Sequence, residues 1–529
     1  MTPPDLQGGP RLIHILVLAA LLWGGGYIFR DLWEPDEARY AYVAWEMRES
    51  GNYHMPTRHG EPYAHKPPLF FWLVNLFAFA TGGRIGSVAT RLPSLLGAVL
   101  ALWATARLAR RWAGGEAAWP AAVVLGTSYL FYLQGSTGQI DALLCGLEMM
   151  ALWCLFRYND EGLPWLTIAA YACMGLGILA KGPVGLLIPL GAYIAATAGA
   201  GERLKLKRWH FVWGPLISLA FPAAWLLWAY LAGAPESYLR ELVFAQNIER
   251  AAGSLGHAQP IHYFIPHFIA EFLPWTLFLV PAWTALVERP LLRRRLIAWG
   301  FFVVAIFSFL GSKRYMYILM AYPAAAIMVG AAFGRFRRRD RWAGMAAAGL
   351  LALVGIVLAA AAFHPRVPIG PLRLLPIGLF LFIAGVWLLR RLYLDGPIRP
   401  RLLAVAAVLA VFEMYAGAVL LPALNPLKTP VELVAAARRN LGPGDRLLLY
   451  RMNGEILALY AGVRGQKIED TESLRRAALH RAGGGMVVFN QSDWDAFDPS
   501  IRALFLPHPF RMGEKRLIWG KILSKGLSE

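Results

Sequence analysis

Long apolar runs alternate with short polar ones along most of this chain. The runs begin near residues 12, 68, 91, 117, 139, 164, 182, 210, 263, 295, 315, 342, 371 and 402. Most are about 17–25 residues, enough to cross a bilayer as helices. The loops between them differ in charge. "ARRWAGGE", "GERLKLKRWH", "ERPLLRRR", "GRFRRRDR" and "RRLYLDGPIRPR" are strongly basic and fall in every second loop. The rule that positive loops stay inside therefore places them in the cytoplasm. The intervening loops, "GSTGQID", "AKGP", the segment 233–262, "GSKRY" and "HPRVPIGP", then face outside. The run "PPLFFWLVNLFAFATG" over 68–83 is short and opens on two prolines. Read as a segment that dips in or lies at the interface, it leaves about thirteen spans. The N-terminus is then inside, while the loop 31–90 and the C-terminus are outside. Arg11 and the apolar run after it read as a retained first span.

After about residue 423 the pattern changes to amphipathic and alternating segments. "PVELVAAARRNL" predicts a helix, "RLLLYR" a strand, "TESLRRAALHRA" a helix and "GMVVFN" a buried strand. This is the signature of a small α/β domain over 423–529. The expected division is a membrane domain, 1–422, followed by that domain.

Composition narrows the class further. The 529 residues are 57% hydrophobic with a mean hydropathy of +0.46, more apolar sequence than a soluble core absorbs. The net charge of +19 is accounted for by the basic loops, so nucleic acid is excluded as a partner. Cys145, Cys154 and Cys173 all fall in apolar runs and read as core residues, with neither zinc spacing nor a disulfide framework.

The first outer loop carries the candidate chemistry. In "WEPDEARYAYVAWEM", Pro35 suits a first helical turn, and acids suit the positive end of a helix. On that helix Asp36, Arg39, Tyr40, Val43 and Met47 share one face. Val43 and Met47 are apolar, so that face and Asp36 turn inward. "HGEPYAHKPPLFFW" adds Tyr63, His65 and Lys66 before two prolines. Other polar groups stand at the same membrane face: Asp141, Lys181, Arg250, Lys313, Arg314 and Tyr317. Singly they read as helix caps, interface anchors and an aromatic belt. Together they place carboxylates, cations and tyrosines where a polyanionic ligand head can be held.

"EPDEARYAYVAWEM", "YAHKPPLFFW", "ATRLPSLLG", "AKGPVGLL" and "SKRYMYILMAYPA" resemble the bacterial branch of the protein O-mannosyltransferase superfamily. The likeness is strongest to its ArnT-like aminoarabinose (lipid A) transferases. It covers roughly 12–422 and weakens in the C-terminal domain. It implies a GT-C fold: an α-helical polytopic membrane protein of the bacterial inner membrane with its active site facing the periplasm. The implied reaction moves a sugar, 4-amino-4-deoxy-L-arabinose, from undecaprenyl phosphate to a lipid A phosphate, a modification tied to polymyxin resistance. The partners implied are that lipid-linked donor, a lipid A acceptor and membrane lipids, around a monomer. Asp36, Arg39 and Tyr40 match the family's first motif. Tyr63, Ala64, His65, Lys66 and Pro67 match its Tyr-x-Glu-Lys-Pro, with His65 in place of Glu. The family's Glu-His pair in the later loop falls on Gln246 and Asn247. Those Glu and His positions are linked to a divalent metal, so the departures bear on its retention, with His65 the one candidate ligand.

The roles that follow are expectations. Asp36, Lys66 and Asp141 form the catalytic set in one pocket at the outer lip of the bilayer. Arg39, Tyr40, Tyr63, Lys181, Arg250, Lys313, Arg314 and Tyr317 bind substrate. Cations meet the charge that grows on the leaving phosphate. Asp36 is a general base for a hydroxyl acceptor, or positions the sugar when the acceptor is a phosphate. Transfer of galacturonate, hexosamine or mannose to lipopolysaccharide or protein fits the same scaffold. A transporter or flippase of a lipid-linked sugar is the rival from another class. Transporters, however, show paired halves and midplane sites, which are not evident here.

Overall fold

A computed structural model describes residues 11–205, 208–242, 259–394, 398–442, 445–480 and 485–523. Its packing divides the chain into two compact units. The first is Met1–Arg30, Ala64–Phe70 and Arg91–Pro422; the second is Asp31–Tyr63, Phe71–Thr90 and Ala423–Glu529.

The first unit is a bundle of apolar helices. Eight helices among the described residues are long and apolar enough to span a membrane: Leu12–Phe29, Ser87–Ala113, Pro164–Lys181, Val212–Leu231, Tyr315–Ala332, Arg338–Ala361, Pro371–Tyr393 and Arg399–Lys428. Two bent pairs raise the number to ten, Tyr129–Ser136 with Ile140–Glu161 at 111° and Phe264–Glu271 with Trp275–Ala285 at 96°. This is fewer than the thirteen read from hydropathy, and the reason is local. Val184–Gly199 is apolar but has only 16 residues, so it rises about 24 Å against a core of about 30 Å. Pro290–Phe309 has the length, but Arg293, Arg294 and Arg295 occupy its first turns. The chain is a multi-pass membrane protein.

Apolar lipid gives helices little hydrophobic reason to associate, so close approach must supply the contact energy. Gly97 and Gly146 show how near the backbones come. A Cβ on Gly97 would stand 2.2 Å from the carbonyl oxygen of Ala142, and one on Gly146 would stand 2.3 Å from that of Gly97. This crossing fixes the helix Ile140–Glu161, which carries Asp141. Arg91, fully buried, closes the end of the first span. Its guanidinium donates to the carbonyls of Gly26 (2.8 Å) and Arg30 (2.7 Å), which the helix itself leaves unpaired.

The second unit joins residues 31–63 and 71–90 to the C-terminal residues 423–529, which the sequence reading kept apart. The loop supplies the helix Asp36–Ser50 and a small hairpin of β1 (Thr57–Arg58) and β2 (Glu61–Pro62). Phe71–Ala80 of the apolar helix Leu69–Ala80 packs here too. Asn75 donates to the carbonyl of Ala44 (2.9 Å), and the Trp72 indole to that of Tyr53 (2.8 Å). This helix of 12 residues rises only about 18 Å, so it is too short to cross. The C-terminal part contributes β3 (Arg446–Tyr450), β4 (Arg464–Ile468), β5 (Met486–Asn490), β6 (Phe505–Met512) and β7 (Lys515–Ile522). Their order is β4-β3-β5-β7-β6, with β3 parallel to β4 and β5, and β7 antiparallel to β5 and β6. The four expected elements appear as Val431–Asn440, Arg446–Tyr450, Thr471–His480 and Met486–Asn490.

Side chains of the loop explain the joining. The backbone N–H of Gly465 donates to the Tyr42 hydroxyl (3.0 Å), Arg58 pairs with Glu455, and Thr429 donates to Asp31 (2.9 Å). His59 packs against Tyr42 with ring centroids 4.7 Å apart and the rings tilted by 37°. It is buried, and a Cβ on Gly465 would stand 2.4 Å from its ring. Burial first, then the charges of Arg58 and Lys467, push the His59 pKa down to about 3. The unfolded chain therefore takes a proton near pH 6.5 that the folded chain refuses. Stability contributed by neutral His59 is complete above that pH. It falls by about 1.4 kcal/mol per unit as the pH drops from about 6.5 toward 3. Glu46, raised by its burial, changes stability in the opposite sense, so the comparison with a variant isolates His59. Asn tolerates the positive φ at this position and does not titrate. In His59→Asn the loss of stability between pH 7 and 5, read by pulse proteolysis of the full chain, should shrink by about 2 kcal/mol. An unchanged pH slope would remove His59 from the account.

Candidate functional site

In the first unit, helix ends converge on an ion pair. The stretch Thr137–Gln139 breaks one apolar run, and the next helix starts at Ile140. Asp141 thus sits in the first turn, where the helix dipole favours an anion. Lys181 ends the helix Pro164–Lys181, where the dipole favours a cation. Their side chains pair, and both are nearly buried, with 12% of Lys181 and 9% of Asp141 exposed. The Lys181 ammonium also stands 4.4 Å from the centre of the Tyr317 ring. Held on both sides, Lys181 is fixed rather than reaching for solvent as an interface anchor does.

Lys66, Asp141, Lys181, Ser312 and Tyr317 line one cavity of about 120 Å³, together with apolar side chains. Lys66 is half-buried there, beside Pro67 and Pro68, which restrict the backbone around it. The cavity therefore combines two ammonium groups, two carboxyl groups, a hydroxyl and a phenol in partly apolar walls. Coulomb terms gain strength in such surroundings. One lining residue was not anticipated from the sequence: Glu148, two turns beyond Asp141 on the same helix.

Lys313 and Arg314 do not line this cavity. Lys313 is buried and donates to the carbonyl of Gln259 (2.8 Å), which ties down the segment just before the helix Tyr315–Ala321. Arg250, Gln246 and Asn247 lie outside the described residues.

In the second unit the helix Asp36–Ser50 brings together the first motif. Asp36 pairs with Arg39, whose guanidinium stands 5.4 Å from the Tyr40 ring centre. Tyr40 and Tyr63 both pack against Phe71, at 6.1 and 6.2 Å between ring centres. Asp36, Tyr40, Val43 and Met47 are buried, as the shared face requires. Glu37 is buried as well and accepts from the backbone of Trp33 (3.1 Å), so the acid pair divides its work. Glu37 holds the entering chain, and Asp36 holds Arg39. Burial keeps the Tyr63 pKa above its ordinary value, so its phenol remains a donor at neutral pH.

The metal implied by the resemblance can be tested against these residues. His65 is exposed. Among the described residues no group of three or more His, Cys, Asp or Glu side chains is placed to hold a metal ion. The described residues do not fit such a group, and no chemical step is assigned to one.

Comparison with known proteins agrees with this architecture. Residues 65–228 match the profile of the dolichyl-phosphate-mannose-protein mannosyltransferase family. The chain is 30% identical over 329 residues to an undecaprenyl phosphate-alpha-4-amino-4-deoxy-L-arabinose arabinosyl transferase of Shewanella sediminis, covering 59% of this chain and 58% of that one. It is 30% identical over 322 residues to the protein of the same name from Edwardsiella ictaluri, covering 57% and 55%. The matched region thus spans somewhat more than half the length of these relatives. In three dimensions the chain superposes on the crystal structure of ArnT from Cupriavidus metallidurans bound to undecaprenyl phosphate. The TM-score is 0.79 at 20% identity, over 96% of this chain and 97% of that one. The chain therefore shares the fold of that ArnT structure and, over part of its length, is similar in sequence to the mannosyltransferase family and the arabinosyl transferases.

Proposed function

We propose that this protein transfers 4-amino-4-deoxy-L-arabinose from undecaprenyl phosphate to a phosphate of lipid A, at the periplasmic face of the bacterial inner membrane. The observation that carries the reading is the cavity that sets Lys66 beside the Asp141–Lys181 pair and Tyr317. The names of the relatives supply the substrates.

In the transfer, the bond between the sugar's anomeric carbon and the carrier phosphate breaks. A bond from that carbon to an oxygen of the acceptor phosphate forms, with inversion. The electron pair of the broken bond stays on undecaprenyl phosphate, whose leaving oxygen gains charge. Lys66 meets that charge as a fixed point cation. Lys181 is held by Asp141, and the pair together orders the wall of the site. Tyr317 offers its phenol and ring face to the sugar. The acceptor phosphate is already an anion at neutral pH and needs no base. Asp36 then orients a substrate group through its pair with Arg39, and Tyr40 and Tyr63 complete that cluster. Arg314 and Arg250 belong to the substrate-binding set by charge alone, whereas the Lys313 ammonium is taken up by the Gln259 carbonyl.

Mass spectrometry of lipid A from cells with and without the gene tests the reading. One added aminopentose on a phosphate is expected only with the gene; an unchanged profile, or a different sugar, would refute it. Within the reading, Asp36→Asn keeps shape and hydrogen bonding but removes charge. Transfer in membranes supplied with donor should fall about 10- to 100-fold, the range of one positioned polar group. Undiminished turnover would take Asp36 out of the mechanism.

A further inference from the structure

Glu148 remains unexplained by the roles above. Asp141, Cys145 and Glu148 fall at i, i+4 and i+7 on the helix Ile140–Glu161, and all three line the cavity. Seven residues of helix carry Glu148 about 10 Å along the axis from Asp141. It is only 3% exposed, and its Oε1 has no hydrogen-bond partner among the described residues. Much of the cavity's lining is apolar, including Leu144, Ile188, Phe307 and Leu319. A carboxyl inside a membrane span with an unanswered oxygen is costly, and such groups mark ligand paths. Its surroundings contain two cations, and each has a role elsewhere. Lys181 is paired with Asp141, and Lys66 faces the phosphate in the proposed reaction. The acid left over needs a positive or hydrogen-bond-donating partner from the ligand.

We propose that Glu148 is a specificity-determining residue that receives the ammonium group of the transferred sugar. The proposal rests on the aminoarabinose reading above. An ammonium group balances the carboxylate and fills its empty acceptor positions. A hydroxyl at the same carbon is nearly the same size but leaves the charge unanswered. A site built this way rejects the neutral analogue, because its own buried group stays unpaired.

The test uses the full chain in lipid nanodiscs and three ligands. These are undecaprenyl phosphate, the same lipid carrying aminoarabinose, and the lipid carrying the sugar with a hydroxyl in place of the amine. The wild type should bind the amino donor about 10- to 100-fold tighter than the hydroxyl donor, the range of a charged hydrogen bond. Glu148→Gln should bring that ratio to near unity and leave the affinity for undecaprenyl phosphate unchanged. A ratio near unity in the wild type, or one that survives in Glu148→Gln, overturns the proposal. If Glu148→Gln fails to fold, Glu148→Asp sets the charge back by one methylene. A reduced ratio then supports the assignment and an unchanged one overturns it. Transfer of a neutral sugar with none of the amino donor would instead remove the donor reading itself. That result is distinct from an amine preference that ignores Glu148.

Discussion

Lys66→Ala should reduce sugar transfer by about two to three orders of magnitude, the cost of losing one pre-placed group that stabilises developing charge. The reasoning starts from what the leaving group needs. In the proposed transfer, undecaprenyl phosphate departs with more negative charge on one oxygen than it had in the donor. A cation already in place lowers the barrier without reorganisation. Two ammonium groups line the cavity, but they are not equivalent. Lys181 is neutralised by Asp141 and faced by Tyr317. Lys66 enters from its own segment, on a backbone restricted by Pro67 and Pro68. Its removal should show mainly in kcat at saturating donor, because the charge it meets grows in the transition state. Lys66→Arg should recover only part of the loss, since a planar fork does not occupy the place of a compact ammonium. Single-turnover transfer in nanodiscs reads both variants. Transfer by Lys66→Ala within threefold of wild type would remove the phosphate role.

Much of the fold was open to reading because its signals are local. Span-length apolar runs and a basic charge in alternate loops declare a multi-pass protein from any single window of sequence. The helix Asp36–Ser50 was equally legible, since acids at its start and Gly51 at its end bracket it. What escaped were features decided at a distance or against local preference. β6 contains Pro507 and Pro509, which argue against a strand. It forms because it is the edge of the sheet, paired on one side to β7, so a missing donor can face away. The union of the first loop with the C-terminal domain depends on Tyr42 meeting Gly465 across more than four hundred residues. No periodicity reports such a contact.

The candidate site was legible in the same uneven way. Asp141 and Lys181 stood out as charges at the ends of apolar runs, but their mutual pairing needed the packing of Ile140–Glu161 against Pro164–Lys181, which no local pattern reports. Glu148 carries no such mark, because it sits in the middle of an apolar run rather than at its end. Its spacing of seven from Asp141 was the signal available, since that interval returns to the same helix face. Lys313 drew attention by its motif, yet its ammonium serves a backbone carbonyl. Charge in a sequence tells where electrostatic work is done, not which partner receives it.

Breaking the Asp141–Lys181 pair from either side should cost more stability than deleting both charges at once. Asp141→Asn leaves an ammonium in a partly apolar wall with its counter-ion gone; Lys181→Met leaves a carboxylate there. Each single change should destabilise the chain by about 3–5 kcal/mol, the usual cost of an uncompensated buried charge. With 12% and 9% of the two side chains exposed, water can relieve little of this. In the double variant no charge is stranded, so its loss should fall well below the sum of the singles. Thermal melts of the four proteins in one detergent form the cycle, and a coupling of about 2 kcal/mol or more is expected. The function should not follow stability back. The double variant lacks the charged wall facing the donor, so transfer should stay low even as the melting temperature recovers. Strictly additive losses would mean that the pair is solvated and structural weight rests elsewhere. Recovery of transfer together with stability would mean that Asp141 and Lys181 hold the helices and take no part in binding the sugar.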